Sequence, residues 1–190
     1  PGESEIPNGN GNKRDLGMQT ALFVARTIHN DLTLVNASSW SWWTALTRAD
    51  YKDGLVYLDD GTNNGSQVTD YCKKDGFARD SKLMWMLGNY SFFVRPGMKR
   101  VAVITENPDP EKESKDVMIS AYKDGSSKKI VLVAVNVGSV NRKYNLQDLK
   151  LKNQTLTPSE TSNLGKGTTI KTNEIVVPAK SVVTFVGELE

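Results

Sequence analysis

The sequence predicts an α/β segment followed by an all-β sandwich. Up to about Pro96 the apolar residues recur at helical spacing in two stretches; beyond it they alternate in short runs separated by Gly, Asn, Pro and Ser. One stretch of the first half stands apart. "NASSWSWWTAL", Asn36 to Leu46, holds Trp40, Trp42 and Trp43, three of the chain's four tryptophans.

The elements follow in order. Leu16, Met18, Leu22, Ala25 and Ile28, joined by Ala21 and Val24, keep the helical period behind Asp15 as N-cap, which predicts a helix near 16–30. "LTLVNASSWSWW" is rich in β-formers and too short for a second helix, so a strand is expected over about 33–43. "YKDGLVYLDDGTNNGSQ", with its Asp60-Gly61 turn signal, predicts a hairpin or an excursion loop. Leu83, Trp85, Met86, Leu87 and Tyr90, behind Asp80 as cap, predict a helix over about 80–92 ahead of the Pro96-Gly97 breaker.

In the second half, strands are expected at 100–104, 116–123, 130–137, 168–177 with an interruption, and 181–188. Their number and spacing predict an antiparallel sandwich. "NPDPEKESK", 107–115, reads as a charged hairpin loop or linker.

Composition narrows the function classes. A chain of 190 residues with 38 % hydrophobic content has the material for a core. Twenty-four Lys and Arg against 22 Asp and Glu leave a net charge of +2, so nucleic acid is not expected as a partner. One cysteine, Cys72, and one histidine, His29, with no CxxC pattern, point away from a metal site, and no cofactor is expected. No apolar run reaches the ~20 residues that span a bilayer, so no transmembrane segment is expected. The opening "PGESEIPNGNGNK" reads as a loop or the cut end of a fragment.

Helix, strand, helix and then sandwich fit the last βα unit of a larger (β/α)8 barrel followed by an antiparallel β-sandwich. "RDLGMQTALFVARTIHNDLTLVNASSWSWW", "YKDGLVYLDD", "KLMWMLGNYSFFVRPGMKRV" and the closing "PAKSVVTFV" together resemble the C-terminal part of glycoside hydrolase family 30. The resemblance covers nearly the whole chain, strongest from Arg14 to Val101 and weakest between Asn107 and Thr172. It implies a catalytic-barrel segment over 1–96 and a side sandwich over 97–190.

That family comprises secreted retaining β-glycosidases and endoglycanases, so the resemblance implies a β-linked oligo- or polysaccharide as partner and a secreted, periplasmic or cell-surface location. Retaining hydrolysis needs an acid/base and a nucleophile whose carboxyl groups lie about 5 Å apart. In the family both are glutamates, ending the fourth and seventh barrel strands, whereas Arg14 onward resembles the seventh helix and eighth strand. The catalytic pair is therefore expected upstream of residue 1. Glu5 in "Ser4-Glu5" is a weak catalytic candidate, and a solvated loop carboxylate is the plainer reading.

Alternation along a strand sends Trp40 and Trp42 to one side and Trp43 to the other. Trp40 and Trp42 are the expected sugar-binding residues, since flat indoles suit the C–H-rich faces of pyranose rings, and Trp43 is the expected packing residue. Tyr51 and Asp53 reach toward the rim or serve as ordinary loop residues. His29 is expected to cap or to sit buried in a hydrogen bond, and Asp31 to bond backbone at a turn. Cys72 has no histidine at motif spacing. Asn36, Asn64, Asn89 and Asn153 begin Asn-x-Ser/Thr triplets, but Asn36 falls in a strand expected to be buried, which argues against reading the set as glycan sites.

A second class stays open, a non-catalytic carbohydrate-binding or structural module. The sandwich half carries Tyr122, Tyr144 and Phe185 but no Trp, and reads as a buttress. A barrel strand left with open edges needs a neighbour. The N-terminal barrel portion of the same protein, or self-association through 33–43, is expected to supply it.

Overall fold

The computed structural model describes residues 13–59, 76–104, 109–146, 149–157, 168–170 and 174–189. Elements run in the order α1 (Met18–Thr33), β1 (Leu46–Thr47), β2 (Val56–Asp59), β3 (Phe77–Asp80), α2 (Lys82–Ser91), β4 (Lys99–Val101), α3 (Pro110–Glu113), β5 (Val117–Lys123), β6 (Lys129–Asn136), β7 (Arg142–Asn145), β8 (Leu149–Thr157), β9 (Thr168–Thr169), β10 (Glu174–Val177) and β11 (Ser181–Leu189).

Helix α1 forms where the apolar period predicts it, with one change at each end. The N-cap position is Gly17, which offers no side chain. Asp15 instead reaches in from two residues earlier, its Oδ1 accepting from the Gly17 amide and its Oδ2 from the Thr20 amide, each at 2.8 Å. At the other end the helix continues to Thr33, and the amides of Leu34 and Val35 both return to the Asn30 carbonyl.

The expected strand over 33–43 is not formed. Its first residue belongs to α1, and residues 34–44 carry no ladder among the described residues. The pattern of side chains along a segment marks which of them share a face, but a strand also needs a neighbour's backbone groups. Pairing begins further on, where β1 lies parallel to β2, and β2 pairs antiparallel with β3. The excursion after the tryptophans is thus a small three-stranded sheet. Gly54 is required in its tight entry: a Cβ there would lie 2.5 Å from Thr47 Cγ2 and 2.6 Å from the Tyr57 ring.

Helix α2 starts two residues later than expected. Ser81, not Asp80, is its N-cap, accepting from the Met84 amide. Asp80 closes β3 and accepts from the Trp85 indole instead.

The second half is the antiparallel sandwich the alternation predicts. Six strands lie in the order β4-β5-β6-β11-β8-β9, and β10-β7 forms a second, two-stranded sheet. The expected interruption in 168–177 separates β9 from β10, which belong to different sheets. Strand β6 is buried on both faces, which is why its sequence is a continuous apolar run. Val131, Val133 and Val135 meet α1 and α2 in one cluster, with Met18, Ala21, Val24, Ala25, Ile28, Leu83 and Met86. Ile130, Leu132 and Ala134 meet β10 through Ile175 and Val177, around the fully buried Phe185. Helices α1 and α2 of the first half therefore rest directly on the sheet of the second.

A buried polar knot fixes the helices on that sheet. Asn89 of α2 is fully buried, and its Nδ2 donates to Thr157 Oγ1 of β8 at 2.7 Å and to the Trp85 carbonyl at 3.0 Å. Its Oδ1 accepts from Thr184 Oγ1 of β11 at 2.8 Å. Among the described residues no helix is long and apolar enough to cross a membrane, and no cluster of His, Cys, Asp and Glu is grouped to hold a metal.

Candidate functional site

The tryptophan segment leaves the C-terminus of α1 and is bonded at both ends. Asp31, near the end of the helix, accepts from the Trp40 indole N–H through Oδ2 at 3.0 Å, while its backbone carbonyl accepts from the Ala37 amide. The Trp42 indole N–H donates to the Asp53 carbonyl at 2.7 Å. With both edges fixed, the two rings stack with centroids 5.7 Å apart and planes 7° from parallel. The expected sharing of one side by Trp40 and Trp42 is present.

The expected packing of Trp43 is not found. Trp40 and Trp42 are half-buried and pack against the core under α1 and α2, whereas Trp43 is 81 % exposed. The reason lies in the indole N–H groups, whose acceptors at Asp31 and Asp53 hold the pair inward. Trp43 stands on a backbone that is itself held. A cis peptide joins Trp43 to Thr44, the Thr44 amide donates to the Asp53 carbonyl at 3.2 Å, and the Leu55 amide to the Thr44 carbonyl at 3.0 Å.

Below the segment sits Tyr57, fully buried. Its hydroxyl donates to the Tyr51 carbonyl at 2.5 Å and accepts from the Gly54 amide at 3.0 Å, and the Arg14 guanidinium lies 5.0 Å from its ring centroid. Burial pushes the phenol up to about 12, so it stays protonated as a donor. Ser81 Oγ donates to the carbonyls of Gly54 and Leu55, tying α2 to the same turn. Tyr51 keeps part of its ring in solvent, and the Asp53 carbonyl accepts from both the Trp42 indole and the Thr44 amide.

The other singled-out residues divide. His29 is buried, as expected, but its Nδ1 meets no hydrogen-bond partner among the described residues, and burial, with the Arg100 charge, lowers its pKa to about 4. Asn36 is exposed with φ 57° and accepts from Arg100, rather than lying in a buried strand. Asn89 is sealed in the polar knot. Glu5, Cys72 and Asn64 lie outside the described residues. Two features were missed from sequence, the exposure of Trp43 and the Asn89 knot. A strand reading cannot supply either, since one depends on indole acceptors distant in sequence and the other on Thr157 and Thr184.

A helix, an aromatic segment, an excursion sheet and a second helix are laid on an antiparallel sandwich, an arrangement shared with the C-terminal sandwich region of glycoside hydrolase catalytic domains. The comparisons agree. Residues 3–57 match the model of O-Glycosyl hydrolase family 30. Over 97 % of its length the chain is 31 % identical to the glucuronoxylanase XynC of Bacillus subtilis, spanning 38 % of that protein. Among solved structures, a conserved exported protein from Bacteroides fragilis is 35 % identical over 89 % of the chain and 33 % of its own, with TM-score 0.74. The catalytic domain of a family 30 xylanase C from Talaromyces cellulolyticus shares the fold at TM-score 0.68 and 18 % identity, over 93 % of this chain and 38 % of that one.

The chain is thus similar to proteins of glycoside hydrolase family 30. It spans less than two fifths of the length of these relatives.

Proposed function

We propose that the chain is the C-terminal part of a secreted retaining β-glycosidase or endoglycanase, with β-linked xylan as the substrate class. The glycan comes from the names of the relatives, a glucuronoxylanase and a xylanase, and the secreted location from a relative titled as exported. The catalytic carboxyl pair belongs, on this reading, to the part of the relatives that this chain does not span. There one carboxyl group protonates the leaving oxygen while the other attacks the anomeric carbon.

What this chain contributes is sugar binding and support. The observation that carries the reading is the Trp40–Trp42 stack, pinned at both indole N–H groups, with Trp43 exposed on the bonded backbone beside it. Rigid indoles take a pyranose face at little cost in side-chain entropy. The residue expected to pack, Trp43, therefore joins Trp40 and Trp42 as a substrate-binding residue. On this reading the neighbour of the 34–44 segment, which carries no strand ladder of its own, is the rest of the same barrel. The sandwich serves as its buttress: Tyr122 and Phe185 are buried and Tyr144 is half-buried, so they offer no aromatic platform.

The test uses the protein that carries this chain and glucuronoxylan. Reducing ends are released, and Trp43→Ala raises KM about tenfold with kcat little changed, the signature of lost uniform binding worth about 1.4 kcal/mol. Unchanged KM removes Trp43 from the site, and no release from xylan or other β-linked glycans contradicts the enzyme reading.

A further inference from the structure

The chain that enters α1 is stitched to the loop that follows the tryptophans. The Arg14 amide donates to Asp50 Oδ1 and the Arg14 guanidinium, through Nη2, to the Arg48 carbonyl, each at 3.0 Å, across 36 and 34 residues of sequence. The Lys13 amide adds a bond to the Asp50 carbonyl at 2.6 Å. The same guanidinium lies 5.0 Å from the centroid of the Tyr57 ring. Residues 13 and 14 belong to no helix or strand, so these contacts hold that entry in place.

The contacts ask for arginine in particular. A planar fork can hand an N–H to a carbonyl while its face meets a ring, whereas an ammonium on a flexible stem is a point charge. A guanidinium within about 6 Å of a ring centroid is attracted by the ring's quadrupole, and more so where water is excluded. Tyr57 is fully buried and Arg14 is half-buried, so the attraction is partly desolvated.

Tyr57 passes the constraint on. Its hydroxyl meets the Tyr51 carbonyl and the Gly54 amide, and its ring fills the space where a side chain at 54 would stand. That fixes the 51–54 turn and with it the Asp53 carbonyl, which accepts from the Trp42 indole and the Thr44 amide. The loop from Thr44 to Gly54 is therefore held at its middle, through Arg48 and Asp50, and at its far end, through Tyr57. Arg14 is common to both holds. Trp43, next to Thr44, is mostly exposed, so the direction of its ring depends on the backbone beneath it.

We propose that Arg14 is a positioning residue for the sugar site: it touches no sugar itself and acts by holding the Thr44–Gly54 loop so that Trp43 presents its face. The inference rests on the reading of Trp43 as a sugar-binding residue.

The test is a double-mutant cycle in the protein that carries this chain, with glucuronoxylan as substrate. Arg14→Met keeps an unbranched side chain and removes the donors and the charge. It raises KM about fivefold with kcat little changed, as for two residues coupled through one network. In the Trp43→Ala background the same substitution changes KM by less than about twofold, because the ring that Arg14 aims is gone. A merely structural role gives the full increase in both backgrounds. Arg14→Lys keeps a cation and a donor, lies between wild type and Arg14→Met, and serves the same cycle where the Arg14→Met protein does not fold. Hydrogen exchange at the Thr44 and Gly54 amides quickens in the Arg14 variants, with β6 unchanged. Unchanged KM, a full increase in both backgrounds, or unchanged exchange at these amides overturns the proposal. A wild type that does not cleave the glycan, or a Trp43→Ala protein with unchanged KM, is a different result: it removes the sugar site itself and the positioning role with it.

Discussion

The two faces of the six-stranded sheet are built differently. Toward β7 and β10 the contact is mainly apolar: Leu132, Leu151, Ile175, Val177, Val183 and Phe185 fill it, with Asn136 at its end donating to the Val177 carbonyl at 3.0 Å. Toward α1 and α2 the apolar cluster is interleaved with buried His29, Asn89, Ser120, Thr157 and Thr184 and with the hydroxyls of Tyr90 and Tyr122. Apolar packing accepts small slips, whereas hydrogen bonds at 2.7 and 2.8 Å do not. The face that carries α1 and α2, and through α1 the tryptophan segment, is held by hydrogen bonds between Asn89 of α2 and the hydroxyls of β8 and β11. This contrast separates a face that supplies stability from one that also supplies position.

Breaking the apolar face has the largest effect. Phe185→Ala, at a fully buried position, costs about 3–5 kcal/mol in urea unfolding, with the tryptophan segment's binding unchanged in whatever protein stays folded. On the polar face, His29 makes stability depend on pH. Its folded pKa, about 4, lies below the ordinary imidazole value of 6.5, so its contribution is complete above pH 6.5 and is lost as pH falls through the window down to about 4. Unfolding at pH 7 and pH 4 then shows roughly 3 kcal/mol more acid loss in the wild type than in His29→Gln; equal losses refute a buried neutral imidazole.

Asn89→Ala comes next, at about 2 kcal/mol, because it removes the side-chain bonds to the Thr157 and Thr184 hydroxyls, which keep only the Trp85 and residue-89 carbonyls as acceptors, and unlike Phe185→Ala it also loosens α2 in hydrogen exchange. The smallest effect is Ser81→Ala. It removes the α2 N-cap together with the bonds to the Gly54 and Leu55 carbonyls, for about 1 kcal/mol. A cost near that of Phe185→Ala would place the turn under the tryptophans inside the main core.

The same contrast decides what the sequence reveals. The apolar strands β5, β6 and β11 are legible because their two-residue period is written in Val, Ile, Leu and Phe. Strand β8, "LKLKNQTLT", was not anticipated. It alternates too, burying Leu151, Thr155 and Thr157, but Lys152 and Asn153 are both exposed where a bulge at Lys152 shifts the register against β11. Strand β7, "RKYN", is short and mostly polar, and is a strand only because β10 pairs with it. At the site, the alternation of Trp40 and Trp42 was legible from spacing, and their stack follows from it. Which indoles turn inward was not, because Asp31 and Asp53 decide it through bonds across 9 and 11 residues.

The central claim is that these residues serve a retaining hydrolase of β-linked xylan. The most direct test is the anomeric configuration of the sugar first released from glucuronoxylan by the protein that carries this chain, read by NMR before mutarotation. The account predicts the β-anomer first, retained from the substrate. Release of the α-anomer first, or no release at all, would contradict it.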